Sequence, residues 1–404
     1  MAIPSAGLRA AVVLLAIAGI VPARLARTQQ PARSVLPIQL QVLFMPPPFR
    51  SDGRAGLGYE LYVANFRDMD LTLARLDVLP VGDTAHPLAS LAAGQDLLRV
   101  LRRPGKPADV ADPAVIRGGE FAVVFLWVGV DSTRTVPQAI AHRAVFQRRL
   151  ADGSLREYVV EGAAVQLPVR RPLVIRPPLP PGRWLMANGP SMLGGHRFSL
   201  QAIDGRPSGS QRFAADWMLL GADGRLARDG VGGNALWHGY GTPVLAVADA
   251  EVVEIRDGLP ENAPLSSERA VPNRRETIGG NYVVLQLAAD AFAFYAHLQP
   301  GSLRVAVGDR VRSGQVLGLI GNSGNSDAPH LHFHLTDTAD PMSGEGIPFA
   351  LDSFSILQTL SADSWEPMLQ RNAPWRQPAG IRARPRREEM PSGEAVVEFK
   401  EEVR

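Results

Sequence analysis

Pro329-His330-Leu331-His332-Phe333-His334-Leu335 carries three of the chain's eight histidines at alternate positions. Residues two apart on a β-strand point to the same face. The stretch therefore predicts a strand with three imidazoles on one face and Leu331, Phe333 and Leu335 packed behind them. A helix would scatter the rings around its surface. A row of neutral imidazoles on a rigid strand suits a transition metal, zinc first among them. The alternative is a polar strand face without metal. Four residues of strand advance about 13 Å, so the three rings cannot all touch one ion. His334 is the surplus residue, read as lining a groove or orienting another side chain.

The chain around this strand has 404 residues, enough for two or three domains. Its 39 glycines and 34 prolines favour turns and short strands over long helices. A net charge of +2 gives no electrostatic case for nucleic acid. There is no cysteine, which excludes disulfides, a lipid-modified cysteine and thiolate metal ligands. At the N-terminus, Arg9 precedes an apolar run from Ala10 to Val21, followed by the small-residue site Val21-Pro22-Ala23. Residues 1–28 read as a secretory signal, with an uncleaved anchor as the alternative, and no other stretch could cross a bilayer. The expected location is the periplasm, the cell envelope or outside the cell.

Residues 29–35 read as a mobile linker. Short alternating runs follow at 38–44, 58–65, 71–79, 120–128, 144–149 and 157–165, which predicts a β-sandwich over 35–169. No acid/base constellation occurs there, and His86 and His142 read as structural or surface residues. The Pro-rich segment 170–183 reads as an extended linker. A second β-rich region runs over 184–354, with a polar surface loop at 256–278. Residues 355–370 read as a short helix and the charged segment 376–404 as disordered.

In the second region several ordered motifs resemble the lysostaphin/LytM-type zinc endopeptidases. These are Gly241-Thr242-Pro243-Val244, Gly280-Asn281-Tyr282-Val283, Tyr295-Ala296-His297-Leu298, Val307-Gly308-Asp309-Arg310-Val311, Gly321-Asn322-Ser323-Gly324 and the histidine string itself. The resemblance covers roughly residues 196–345. It implies an antiparallel β-fold with a groove, and one zinc held by a His, an Asp and the second His of His-x-His. Carried across, His332 is a metal ligand, while His330 and His297 act in catalysis. The implied substrates are peptide cross-links of peptidoglycan. Tyr295, Asn322, His238 and His334 are expected to line the groove.

One departure from the pattern stands out. The family's first two ligands come as His-x-x-x-Asp, but here the stretch reads Arg212-Phe213-Ala214-Ala215-Asp216. Arginine stays protonated and has no lone pair for zinc. A hairpin of 196–203 and 211–217, centred near Arg206, would set His196 opposite Asp216 and let His196 supply the missing ligand. A register slip of one residue would turn it away. His238 is a weaker rival. The leading expectation is a zinc endopeptidase acting on peptidoglycan or a similar substrate. The alternative is an inactive module that binds wall peptides or regulates an amidase. No Gly-x-Ser-x-Gly elbow or phosphate-binding loop supports another class.

Overall fold

A computed structural model describes residues 37–105, 114–190, 195–228 and 230–401. The predicted signal or anchor at 1–28 and the linker at 29–35 lie outside the described residues. Among the described residues no helix is long and apolar enough to cross a membrane. From Pro37 onward the chain forms one compact unit.

The N-terminal part is the expected β-sandwich. One sheet contains Ile38–Gln41, Phe49–Ser51, Arg54–Asn65, Leu101–Arg102 and Phe121–Val130. The other contains Leu71–Pro80, Ala89–Ala92, Val115–Ile116, Ala139–Arg149 and Leu155–Gln166. Alternation builds the core: Leu57, Tyr59, Leu61 and Val63 of one sheet meet Leu71, Leu73, Leu76 and Val78 of the other. Glu60 lies between two of these core positions, so its side chain leaves the opposite face of its strand. His142 is a buried structural residue, with Nε2 2.9 Å from the Tyr59 hydroxyl.

The C-terminal part is built on an eleven-stranded sheet. In spatial order its strands are Leu173–Ile175, Phe349–Leu360, Glu394–Phe399, Gly182–Ala187, Ala215–Leu219, Leu331–Thr336, Ala291–Leu298, Asn281–Ala288, Ala250–Arg256 and Arg310–Val311, with Arg384–Glu389 beside Phe349–Leu360. Pairing is antiparallel except where Leu173–Ile175 runs parallel to Phe349–Leu351. The histidine strand lies deep in this sheet, between Ala215–Leu219 and Ala291–Leu298. Leu331, Phe333 and Leu335 enter the main core, as the alternation predicts.

Four expectations need correction here. The segment 376–404 is not disordered throughout, since Arg384–Glu389 and Glu394–Phe399 are strands. Ala395, Val397 and Phe399 enter one core and Val396 another, so a short apolar run inside a charged segment is covered on both faces. The Pro-rich linker contributes Leu173–Ile175, which finds an open sheet edge. The predicted helix at 355–370 begins only at Ala362, because Phe349–Leu360 is held as a strand by neighbours on either side. The proposed hairpin is smaller than expected. It pairs Gln201–Ile203 with Arg206–Ser208 around Asp204-Gly205, both at positive φ, as a tight Asp-Gly turn requires. His196 lies before it, in a 3₁₀ turn over His196–Phe198.

The sandwich meets the C-terminal part through an apolar cluster of Phe49, Phe213, Met390 and Trp127. Burying each large side chain of this kind is worth about 1.5–3 kcal/mol. Backbone bonding continues the contact, with Met390 N donating to Arg50 O at 2.8 Å.

Candidate functional site

Sheet register brings the first two site residues together. Asp216 lies directly opposite His332 on one side and Ala187 on the other. Opposed Cβ atoms in such a ladder are about 5 Å apart, and Asp216 Oδ1 comes 3.0 Å from His332 Nδ1. The third residue comes from the 3₁₀ turn, which sets His196 Nε2 3.5 Å from Asp216 Oδ2. One donor atom each from His196, Asp216 and His332 fall within 4.8 Å of one another. Bonds of about 2.05 Å in a tetrahedral site set ligand atoms roughly 3.3 Å apart. The Asp216 separations of 3.0 and 3.5 Å bracket that spacing, and the whole set lies within 4.8 Å, which is compatible with a zinc-sized ion.

Neighbours hold these side chains in usable states. Asn188 Nδ2 donates to Asp216 Oδ2 at 2.9 Å. The Asn188 carbonyl lies 2.9 Å from His196 Nδ1 and can only accept, so that nitrogen carries the proton. His196 Nε2 is thereby left with its lone pair toward Asp216. Burial alone would raise the Asp216 carboxyl, but His196 and His330 beside it hold it well below the usual range. Burial is also the main cause that lowers His332, to about 4.

Two further imidazoles flank the set. His297 Nδ1 lies 2.8 Å from the Ser323 carbonyl and must donate to it, which leaves Nε2 as an acceptor. Burial, then the neighbouring His330 and His332, push His297 well below its ordinary pKa, so it is a neutral base. Its φ of +64° is unusual for a residue with a side chain. That conformation is fixed from both sides, by His297 N donating to Gly279 O and Gly321 N donating to His297 O. His330 donates from Nδ1 to the Ala328 carbonyl at 2.7 Å and sets Nε2 3.3 Å from Asp216 Oδ1. Burial opposes its protonation, but the charge and hydrogen bond of Asp216, with the bond to the Ala328 carbonyl and the nearby Asp327, together raise it. The rings of His297 and His330 are 4.8 Å apart.

The structure thus brings together His196, Asp216, His297, His330 and His332. The residues expected in the groove lie elsewhere. His334 is fully buried, against Phe294, with Nδ1 2.9 Å from His332 Nε2. It orients a neighbour and does not line the groove. Tyr295 is a core residue that meets Phe333 edge-on, and its hydroxyl accepts from Val247 N. Asn322 is buried and organises its loop, donating to Asn234 Oδ1 and the Asn262 carbonyl and accepting from Ser326. His238 stands beside Asp223, 3.8 Å away, and not at the groove. Alternation and motif position locate a residue on a strand or loop, but they do not say whether another layer covers it.

Arg212 explains the departure from the pattern. It is buried, and its guanidinium donates to both oxygens of Glu60, to Glu345 Oε2 at 2.6 Å and to the Gly346 carbonyl at 3.0 Å. It faces the sandwich and not the histidines.

Sequence reasoning missed Asn188, whose φ of +48° fits an Asn-Gly turn after a strand; the dipeptide is the signal that could have found it. It also missed the groove wall formed by the helix Ala362–Arg371, where Trp365, Leu369 and Gln370 border the opening beside Met218 and Asn325. Nothing in the pattern of that helix signals proximity to a site.

Comparison with known proteins places this geometry in context. Residues 232–343 match the model of Peptidase family M23. Asp216 and His196 precede the matched stretch. The peptidoglycan DD-endopeptidase ShyA of Vibrio cholerae is 37% identical over 82 residues, covering 20% of this chain and 19% of that protein. The glycyl-glycine endopeptidase ALE-1 of Staphylococcus capitis is 37% identical over 95 residues, covering 23% of this chain and 21% of that protein. The chain spans about a fifth of the length of these two curated relatives. Among solved structures, the catalytic domain of lysostaphin from Staphylococcus simulans is 26% identical, with 31% of this chain and 86% of that chain covered and a TM-score of 0.19.

Proposed function

Residues 232–343 form a domain of peptidase family M23, of the lysostaphin/LytM type, and from that premise we propose that this chain is a zinc-dependent endopeptidase that cleaves peptide bonds of peptidoglycan or a similar substrate outside the cytoplasm. The observation that carries the reading is the convergence of His196, Asp216 and His332 beside two further imidazoles. In this reading those three residues hold the metal, and His196 takes the place of the ligand absent at Arg212. A bound zinc ion would lower the pKa of a water and polarise the scissile carbonyl.

The chain's own residues supply the remaining chemistry. His297, neutral with a free Nε2, is suited to take a proton from the attacking water. His330, held toward the protonated form by Asp216, is suited to donate a hydrogen bond to the developing oxyanion. His334 and Asn188 keep His332, His196 and Asp216 in register. The fixed tautomers and low exposure mean that little reorganisation is needed when charge develops. A groove wall of Trp365 and Leu369 would pack on the peptide chain.

One relative is named a peptidoglycan DD-endopeptidase and the other a glycyl-glycine endopeptidase, which supports peptides such as those of peptidoglycan as the substrate class. Arg212 is buried against Glu60, which supports a structural role for it beside a ligand set completed by His196. The test is metal analysis of the purified protein, followed by release of free amines from cell-wall sacculi with and without a chelator. Bound zinc and chelator-sensitive release are expected. Metal-free protein, or release unaffected by the chelator, would refute the reading.

A further inference from the structure

We infer that the β-sandwich is a working part of the metal site: Glu60 and Arg197 position His196, so the domain that lacks catalytic residues holds one ligand in place. This rests on the reading of His196 as a ligand given above.

The argument starts from the turn that carries His196. The turn is three residues long, too short to fix its own orientation by helical hydrogen bonding. Its other two residues pack against the sandwich. Arg197 is almost wholly buried and pairs with Glu60 Oε1. It also donates to the Tyr59 carbonyl at 2.8 Å and the Leu126 carbonyl at 3.1 Å. These acceptors come from two neighbouring strands of one sandwich sheet. Phe198 meets Phe125 of that sheet edge-on at 5.1 Å, and the Arg102 guanidinium lies 4.1 Å from the centre of its ring. Against the C-terminal sheet the turn has the contacts of His196 itself, to the Asn188 carbonyl, Asp216 and His332.

Arg212 belongs to the same device. Glu60 accepts from both Arg197 and Arg212, which lie on either side of the hairpin that pairs Gln201–Ile203 with Arg206–Ser208. An arginine at the position where the family carries a histidine thus serves the Glu60 anchor, and that anchor holds the turn from which His196 reaches the site. The loss of one ligand and the gain of another are linked through a single buried carboxylate. A buried charge without its partners would be costly, so the geometry around Glu60 is tightly specified.

The experiment uses the full chain. Zinc affinity is measured by competition with a chromophoric chelator for the parent, His196→Ala, Arg197→Met and the double variant, and cobalt(II) absorption reports ligand geometry in each. Arg197→Met is expected to weaken zinc binding roughly 10- to 100-fold, the range for removing a residue that orients a ligand, and to alter the cobalt spectrum. In the double variant it is expected to add nothing to the loss caused by His196→Ala. Parent-like zinc affinity in Arg197→Met, or a full additional loss on top of His196→Ala, would overturn the proposal. Undiminished affinity in His196→Ala would instead remove the ligand assignment itself. Should Arg197→Met fail to fold, Arg197→Lys keeps the charge against Glu60 but cannot reach both carbonyls. A several-fold loss of affinity is then expected, again masked by His196→Ala, and no loss would overturn the proposal.

Discussion

Replacing Arg212 by histidine restores the family's His-x-x-x-Asp pattern on paper, and the structure predicts that it damages the protein and restores nothing. Arg212 is 3% exposed and joins two carboxylates, Glu60 and Glu345, to the Gly346 carbonyl. An imidazole is too short to reach both carboxylates and carries only two donors when charged. Breaking a buried pair by removing one partner costs about 3–5 kcal/mol. Glu60 would keep Arg197 as a partner, which points to the lower end, about 3 kcal/mol. Urea unfolding is a suitable assay, because Trp127 sits in the interface cluster with Phe213 and reports its opening by fluorescence. Far-UV circular dichroism recorded in parallel shows whether the two domains unfold together. The second arm places Arg212→His in a His196→Ala background and measures zinc affinity. No recovery is expected, since position 212 faces the sandwich. A variant within about 1 kcal/mol of the parent, the worth of an ordinary surface pair, would refute the energetic reasoning. Recovered zinc affinity would refute the geometric reasoning.

Three further outcomes are expected. A chain truncated after residue 376 should fail to fold its C-terminal part, because it loses Glu394–Phe399, which joins Phe349–Leu360 to Gly182–Ala187; a soluble truncated protein with parent-like near-UV circular dichroism would contradict this. Burial lowers His142 to about 4. Its folded pKa lies below the unfolded value, so its contribution is complete above about pH 6.5 and is lost as pH falls toward 4, a difference on the order of 3 kcal/mol. His142→Gln should flatten the urea midpoint relative to the parent across that window, and equal pH slopes in the two proteins would count against it. Asn188→Gly removes the hydrogen bond to Asp216 Oδ2 while suiting the positive φ. Zinc affinity should fall about tenfold, and an unchanged dissociation constant would show that the bond does not matter.

Local pattern carried a large part of this molecule. Each of the six alternating runs that predict the sandwich contains a strand, although 38–44 is a strand only over Ile38–Gln41, because a half-buried strand must alternate and a turn must be marked by Gly, Pro, Asn or Asp. The histidine string is a strand with its apolar residues in the core for the same reason. His297, His330 and His332 were legible through motif position. A sound chemical reason points to His196, the need for a lone pair that Arg212 lacks, but the hairpin that forms is shorter than the sequence suggests and does not include it. His196 lies instead in a 3₁₀ turn, and one-dimensional pattern says little about so short an element.

The sequence by itself determined which residues can ligate, which can act as bases and which segments alternate, since those properties belong to side chains and to spacings of two. Only the tertiary structure decided which faces are covered. It buried His334, Tyr295 and Asn322 away from the groove, recruited Glu394–Phe399 from a charged tail into the sheet, and turned Arg212 toward Glu60. Each outcome depends on partners far away in the chain, such as Glu60, 152 residues before Arg212. Burial and charge pairing are set by whatever packs on a residue, and no local spacing encodes that.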